Sequence, residues 1–312
     1  MEDEEGNLFS YTRHQFDTVS RCFYTYLKDQ GINQETTVGL IFNNRFKLAV
    51  SILTCIRFGI TFTIIGKDNP LKRSIYQIKD SNSDFIISDN KLADDLINTV
   101  NDVIDYDIAI EYSKKQDQLP KMNLDDVACI SYTSGTTGNP KGVAITYGAI
   151  TNGSLNHVKI LDSVYYNQLT FALKVKETFI VFLSTLFSYI YRGFIVYITN
   201  SEESTNPTLF HNFLIKNKIE YAYIPPAMID YYLNNEHNLF LKNITTGGDN
   251  VKLTKLNDSV NVTVKYGLSE SFGAITYYNV DSLDKPSCIG KPFINTHLYV
   301  LDNDYKQCEK NQ

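Results

Sequence analysis

Short apolar runs rich in β-branched residues alternate with longer amphipathic stretches, and that alternation restricts the chain to few folds. VGLIF (38–42), FTII (62–65), DFIIS (84–88), ACISYT (128–133), GVAIT (142–146), YAYI (221–224), NITT (243–246) and VTVKY (262–266) all have the composition of buried strands. Between them, FKLAVSILTCIRFG (46–59), ending at Gly59, has the spacing of an amphipathic helix, and further helices are expected near 71–80 and 208–217. Strands that alternate with helices imply an α/β fold with a largely parallel sheet. In such sheets ligands sit at the carboxyl ends of the strands.

The bulk properties narrow the function. A length of 312 residues gives ample material for a buried core. The net charge of −6 and the scattered lysines argue against a nucleic-acid or anionic-membrane partner. Five cysteines, Cys22, Cys55, Cys129, Cys288 and Cys308, contain no CxxC pair. This disfavours a disulfide framework or a zinc site and suits a reducing cytoplasm. The acidic MEDEEGN start lacks the apolar stretch of a signal peptide. FIVFLSTLFSYIYRGFIVYI (179–198) is long enough to span a bilayer, but Tyr191-Arg192-Gly193 interrupts it, so a buried helix followed by a buried strand is expected. The polar stretch 111–125 reads as a linker between two lobes.

ISYTSGTTGNPKGVAIT (130–146) cannot pack a core. Gly135, Gly138 and Gly142 allow backbone N–H groups to approach a ligand closely. Ser134, Thr136 and Thr137 add hydroxyl donors, and Lys141 adds a fixed positive charge. These groups together suit a polyphosphate, although the GxxxxGK[ST] spacing of a Walker loop is absent. A solvated turn between two strands would have the same glycines.

The full string YTSGTTGNPKG (132–142) resembles the phosphate-binding signature of the adenylate-forming superfamily, which includes acyl-CoA synthetases, luciferases and nonribosomal peptide synthetase adenylation domains. Further segments resemble later motifs in the expected order: TTGGD (245–249), YGLSE (266–270) and IGKPFINTHLYVLD (289–302). FSYTRHQF and the segment 58–88 are similar to early motifs more loosely. The likeness is greatest to peptide synthetase adenylation domains.

That resemblance implies two stacked, mainly parallel sheets flanked by helices. It divides the chain into a first α/β lobe (1–115), a second lobe with the phosphate loop and acid pocket (116–285), and the start of a truncated β subdomain (286–312). A ribose-binding Asp, a hinge and a lid domain carrying a Lys are expected beyond Gln312, so the chain alone should be weakly active or inactive. The implied reaction is ATP-dependent activation of a carboxylic or amino acid to an acyl-adenylate with release of pyrophosphate. Transfer to a carrier-protein phosphopantetheine thiol would follow. The alternatives are a non-catalytic nucleotide-binding remnant and an acyl-CoA ligase relative.

Residue by residue, the resemblance assigns phosphate contacts to Ser134, Gly135, Thr136, Thr137, Gly138 and Lys141. It places Gly247, Gly248, Asp249, Tyr266 and Gly267 along the adenine, with Tyr266 stacking. Ser269 would bond the α-phosphate, and Glu270 would hold Mg²⁺, so that Lys141 and Glu270 are the expected catalytic pair. The acid pocket would comprise Ala172, Leu173, Lys176, Tyr223, Ile244, Thr246, Lys265, Gly273 and Ala274. Ala172 would replace the Asp that pairs with an α-ammonium, which points to an acid lacking an α-amine and perhaps carrying a second anionic group.

Overall fold

The computed structural model describes residues 9–115, 118–133, 139–162, 169–234, 240–283 and 288–308. Two sheets form the frame. The first contains β1 (Thr37–Ile41), β2 (Thr61–Ile64), β3 (Phe85–Ser88), β4 (Asp102–Asp105), β5 (Val127–Thr133) and β6 (Lys141–Thr146), in the order β4-β3-β1-β2-β5-β6. The second contains β7 (Thr170–Leu173), β8 (Ile195–Ile198), β9 (Tyr221–Tyr223), β10 (Asn243–Gly247), β11 (Asn261–Leu268), β12 (Gly273–Asn279) and β13 (Lys291–Pro292), in the order β13-β12-β11-β10-β9-β7-β8. Pairing is parallel except for β5 with β6, β11 with β12, and β12 with β13. The expected two-sheet α/β architecture is therefore present. One boundary differs: β5 and β6 pair into the first sheet, although the sequence division put them in the second lobe.

Apolar periodicity explains the layering. A helix that buries two faces can lie only between sheets, and Arg45–Phe58 does so, burying Leu48, Ala49, Val50, Ile52, Cys55 and Phe58. It shares one core with the helices Arg13–Asp29 and Ile180–Arg192, and with the inward residues Phe171, Leu173 and Tyr221 of the second sheet. The outer face of the first sheet packs Ile41 and Ile86 on Ile78 of the helix Leu71–Asp80. The outer face of the second sheet packs Ala172, Ala222, Ile244 and Val262 on Phe210 and Phe213 of the helix Pro207–Lys216. The segment 179–198 resolves into the buried helix Ile180–Arg192, an αL Gly193 and strand β8. Among the described residues no helix is long and apolar enough to cross a membrane.

Arg45 ties the two sheets together at the carboxyl ends of the second. Its guanidinium donates to the Thr199 carbonyl at 3.0 Å and hydroxyl at 2.8 Å, and to the Val175 carbonyl. Its Nε lies 3.5 Å from Glu177, and its charge sits 5.4 Å from the Phe182 ring centre. Both charged partners are mostly desolvated, at 4% and 13% side-chain exposure.

Candidate nucleotide and acid site

In sequence, the expected loop falls between β5 and β6. Thr133 pairs with Lys141 and Tyr132 with Gly142 across the β5–β6 hairpin. Ser134, Gly135, Thr136, Thr137 and Gly138 lie outside the described residues. The base of the loop is anchored: Tyr132 Oη donates to Asp80 at 2.7 Å and to the Gln77 carbonyl at 3.2 Å. Lys141 begins β6 with an exposed side chain.

At the carboxyl end of β10 the chain turns sharply through Gly247 and Gly248. A Cβ on Gly247 would lie 2.0 Å from the Lys265 carbonyl oxygen, and Gly248 has φ +84°. Gly267 is as tightly constrained, because a Cβ there would meet the Gly273 carbonyl at 1.7 Å. These glycines let adjacent strand ends approach without side chains between them. The Tyr223 hydroxyl fixes the turn by donating to the Gly247 carbonyl at 2.5 Å. Burial pushes the Tyr223 phenol up to about 12, so this donor keeps its proton at neutral pH.

The turn opens into a cavity of about 550 Å³ whose wall includes Gly248, Asp249, Tyr266, Gly267 and Leu268. Tyr266 is 44% exposed, leaving its ring free to pack against a planar ligand. After Leu268 a 3₁₀ turn, Ser269–Ser271, lies beside β6. Ser269 and the exposed Glu270 are thereby brought to the strand that begins with Lys141, although more than a hundred residues separate them in sequence. Ser271 pins the turn through bonds to Leu268 and Gly273. Among the described residues no group of three or more His, Cys, Asp or Glu could hold a metal ion. One exposed carboxylate, Glu270, in a turn packed on β6 would suit Mg²⁺, which keeps several waters and takes few protein ligands.

The expected acid pocket is not assembled as a unit. Ala172, Ile244 and Thr246 are fully buried, with Ala172 and Ile244 in the outer core of the second sheet. Strand alternation puts Thr246 on the same outer face as Ile244. Ala172 therefore packs in that outer core, on the face opposite Lys265, and the counter-charge argument finds no support there. Lys176 is exposed just before the helix Ile180–Arg192, and Leu173 is wholly buried in the core between the sheets. Tyr223 and Lys265 do face that inner side, and Gly273 packs against Ser184 of the same helix. Ala274 follows in β12, half-buried.

Two residues that the sequence reading missed complete this side. His157, on the helix Tyr147–Asp162, places Nδ1 3.1 Å from the Lys265 ammonium. Its ring stands edge-on to Phe293, with centroids 5.6 Å apart. Burial pushes the Lys265 ammonium down to about 7, and burial together with Lys265 holds His157 well below the usual imidazole range. Strand parity counted from Gly247, which pairs with Lys265, would have found the right face; nothing in the sequence marks His157.

A glycine-lined turn and an exposed tyrosine border one cavity, and the Ser269–Ser271 turn that follows packs on the β5–β6 hairpin of this two-sheet fold, an arrangement that matches the adenylate-forming class of domain. Residues 5–312 match the profile described as AMP-binding enzyme, and the chain belongs to that family, whose members are adenylate-forming enzymes of the ligase type. It is similar to tyrocidine synthase 2 of Brevibacillus parabrevis, at 27% identity over 298 residues, covering 90% of this chain and 8% of that protein. Bacitracin synthase 1 of Bacillus licheniformis is 26% identical over 298 residues, covering 95% of this chain and 6% of that protein. The chain thus spans less than a tenth of these relatives.

Among solved structures, o-succinylbenzoate CoA synthetase of Bacillus subtilis with its acyl-adenylate intermediate superposes with a TM-score of 0.86 at 20% identity, over 97% of this chain and 63% of that one. The same synthetase has been solved with ATP and a magnesium ion. The N-terminal subdomain of NpsA from Klebsiella oxytoca, bound to 3-hydroxyanthranilyl-AMSN, gives a TM-score of 0.84 at 14% identity, over 98% and 79% of the two chains. These likenesses show the fold.

Proposed function

We propose that this domain binds Mg-ATP and joins a carboxylic or amino acid to its α-phosphate, forming an acyl-adenylate and releasing pyrophosphate, for transfer to a carrier-protein thiol. The observation that carries the reading is that the Ser269–Glu270 turn, which follows directly on the strand bearing Tyr266 and its cavity, packs against the strand headed by Lys141. The reaction gathers negative charge on the phosphates while a carboxylate attacks in line, so the protein has to screen charge and hold position.

In this reading Tyr266 stacks on the adenine above the Gly247–Gly248 turn. Lys141 and the loop hydroxyls of Ser134, Thr136 and Thr137 face the β- and γ-phosphates. Ser269 bonds the α-phosphate, and Glu270 holds Mg²⁺. The bound ion supplies charge neutralisation between the phosphates. A non-catalytic nucleotide-binding role is the second reading, favoured only if binding occurs without adenylate formation when a lid domain is supplied.

A ligand that binds only the native state raises its melting temperature. Millimolar Mg-ATP should therefore raise Tm by several degrees, and Lys141→Ala combined with Thr136→Ala should remove the shift. An unchanged melting curve in the wild type would refute nucleotide binding.

A further inference from the structure

Among the described residues no carboxylate faces Lys265 on the inner side of the second sheet. Lys265 is partly buried, and the polar group within hydrogen-bonding distance of its ammonium is His157 Nδ1. A protonated lysine donates there, which leaves the imidazole proton on Nε2. His157 is only 6% exposed, and its Nε2 is buried with no hydrogen-bond partner among the described residues. The elements around the pair supply aromatic rings and a second cation. Tyr277 lies opposite Lys265 on β12, Phe293 packs against both Tyr277 and His157, and Lys291 sits 5.1 Å above the Tyr277 ring. Tyr223 faces the same side from β9, and no described carboxylate contributes to the environment of Lys265.

Beyond the His157 Nδ1 acceptor, such a site holds spare donors and no described carboxylate. Spare N–H groups on the partly buried Lys265 and the Nε2–H of the buried His157 favour an acceptor-only group, and an anion is the acceptor that also balances the ammonium charge. An α-ammonium would meet like charge and find no partner.

We propose that Lys265 and His157 recognise a second carboxylate on the acid that this domain activates, so that its substrates are dicarboxylic acids in preference to α-amino acids. The inference rests on the nucleotide reading above and names the substrate class for that same site. Tyr277 and Phe293 would flank the carbon skeleton between the two carboxylates.

Proton linkage gives a signature that a purely structural lysine–histidine tie would lack. Burial leaves Lys265 close to half-protonated near neutral pH. A bound carboxylate stabilises the charged form, so binding takes up a proton. Affinity should then fall by about tenfold per pH unit above 7.

The test uses the 312-residue chain with saturating Mg-ATP and the probes succinate, glutarate and o-phthalate, set against butyrate, benzoate and L-leucine. Dicarboxylates should add a thermal shift beyond that of Mg-ATP, larger at pH 6.5 than at pH 8.5. Calorimetry in two buffers of different ionisation enthalpy should report proton uptake. Lys265→Met should weaken dicarboxylate binding at least tenfold while keeping the Mg-ATP shift, and Lys265→Arg should retain part of it without the pH dependence. Equal responses to mono- and dicarboxylates, preference for L-leucine, or unchanged dicarboxylate affinity in Lys265→Met would overturn the assignment while leaving the nucleotide reading intact. Absence of any Mg-ATP shift in the wild type would overturn both. If Lys265→Met does not fold, the wild-type proton uptake and the Lys265→Arg response decide the matter.

Discussion

Removing the Arg45 guanidinium should destabilise the domain more than any exposed charge change. In Arg45→Met the side chain keeps most of its length and apolar stem, but bonds to Thr199 and Val175 disappear and Glu177 loses its cation. Each hydrogen bond to a charged group contributes about 1.5–3 kcal/mol, and desolvation of the guanidinium offsets part of their sum. Breaking a buried pair by deleting one partner costs about 3–5 kcal/mol, because the other charge stays buried. The exposures of 4% and 13% put this pair in that class. For a chain of this size roughly 2 °C is lost per kcal/mol, so Tm should drop by roughly 6–10 °C. Urea unfolding gives the free energy directly. Glu177→Gln alone should cost less, since Arg45 keeps its carbonyl acceptors, and the double variant should show a coupling of about 1–3 kcal/mol. A cost below about 1 kcal/mol for Arg45→Met would show that the guanidinium is hydrated, and the clamp argument would be wrong.

Gly267→Ala and Gly247→Ala should each lower Tm and abolish the Mg-ATP shift, because their Cβ atoms would meet backbone oxygens at 1.7 and 2.0 Å. Gly31→Ala, with φ +91° but open space around it, should cost only about 1 kcal/mol and leave the shift unchanged, and equal effects at the three sites would contradict the close-approach argument. Burial raises the Cys55 thiol and pushes Cys129 up to about 12, so a thiol reagent should label Cys22, Cys288 and Cys308 in the native protein and reach the other two only in denaturant. Burial pushes the Lys174 ammonium, 4.5 Å from the Phe210 ring centre, down to about 8, whereas the unfolded lysine titrates near 10.4. Between those values the unfolded chain binds more protons, so stability rises with pH across that window. Lys174→Met should melt higher than wild type at pH 7 and lose that rise, and parallel Tm profiles from pH 7 to 9.5 would refute the burial argument.

The frame was legible because its strands are locally self-evident. VGLIF, FTII and DFIIS are apolar on both faces, as strands of a covered parallel sheet must be, and they appear as β1, β2 and β3 within one residue of their expected limits. β4 was hidden because Asp102–Asp105 is a polar edge strand with one buried residue, Ile104. β12 was missed although its Ile275–Tyr278 run is strand-forming, and its antiparallel pairing with β11 crosses the bulge at Tyr266/Gly267. The membership of β5 and β6 follows from parallel pairing of β5 with β2, a contact between residues more than sixty positions apart that no local pattern encodes.

Acid-pocket residues were harder to place because a strand shows opposite faces at successive positions, and an error of one residue changes which side of the sheet is meant. Ile244 and Thr246 have the parity of Ala172, Ala222 and Val262, all turned toward the helix Pro207–Lys216. Thr245, Gly247 and Lys265 have the other parity, shared with Tyr223 and directed between the sheets. The close approach of Gly247 to the Lys265 carbonyl fixes that register, since a residue with a side chain at Gly247 could not occupy it. A pocket closed by β9, β10 and β11 must therefore draw on Tyr223, Thr245 and Lys265 together. Its charge is then set by Lys265 and by whatever the intervening helix offers, and the structure puts His157 there. On the proposed reading the choice of acid would rest on a contact between a strand and a helix 108 residues apart, beyond the reach of motif matching at either position alone.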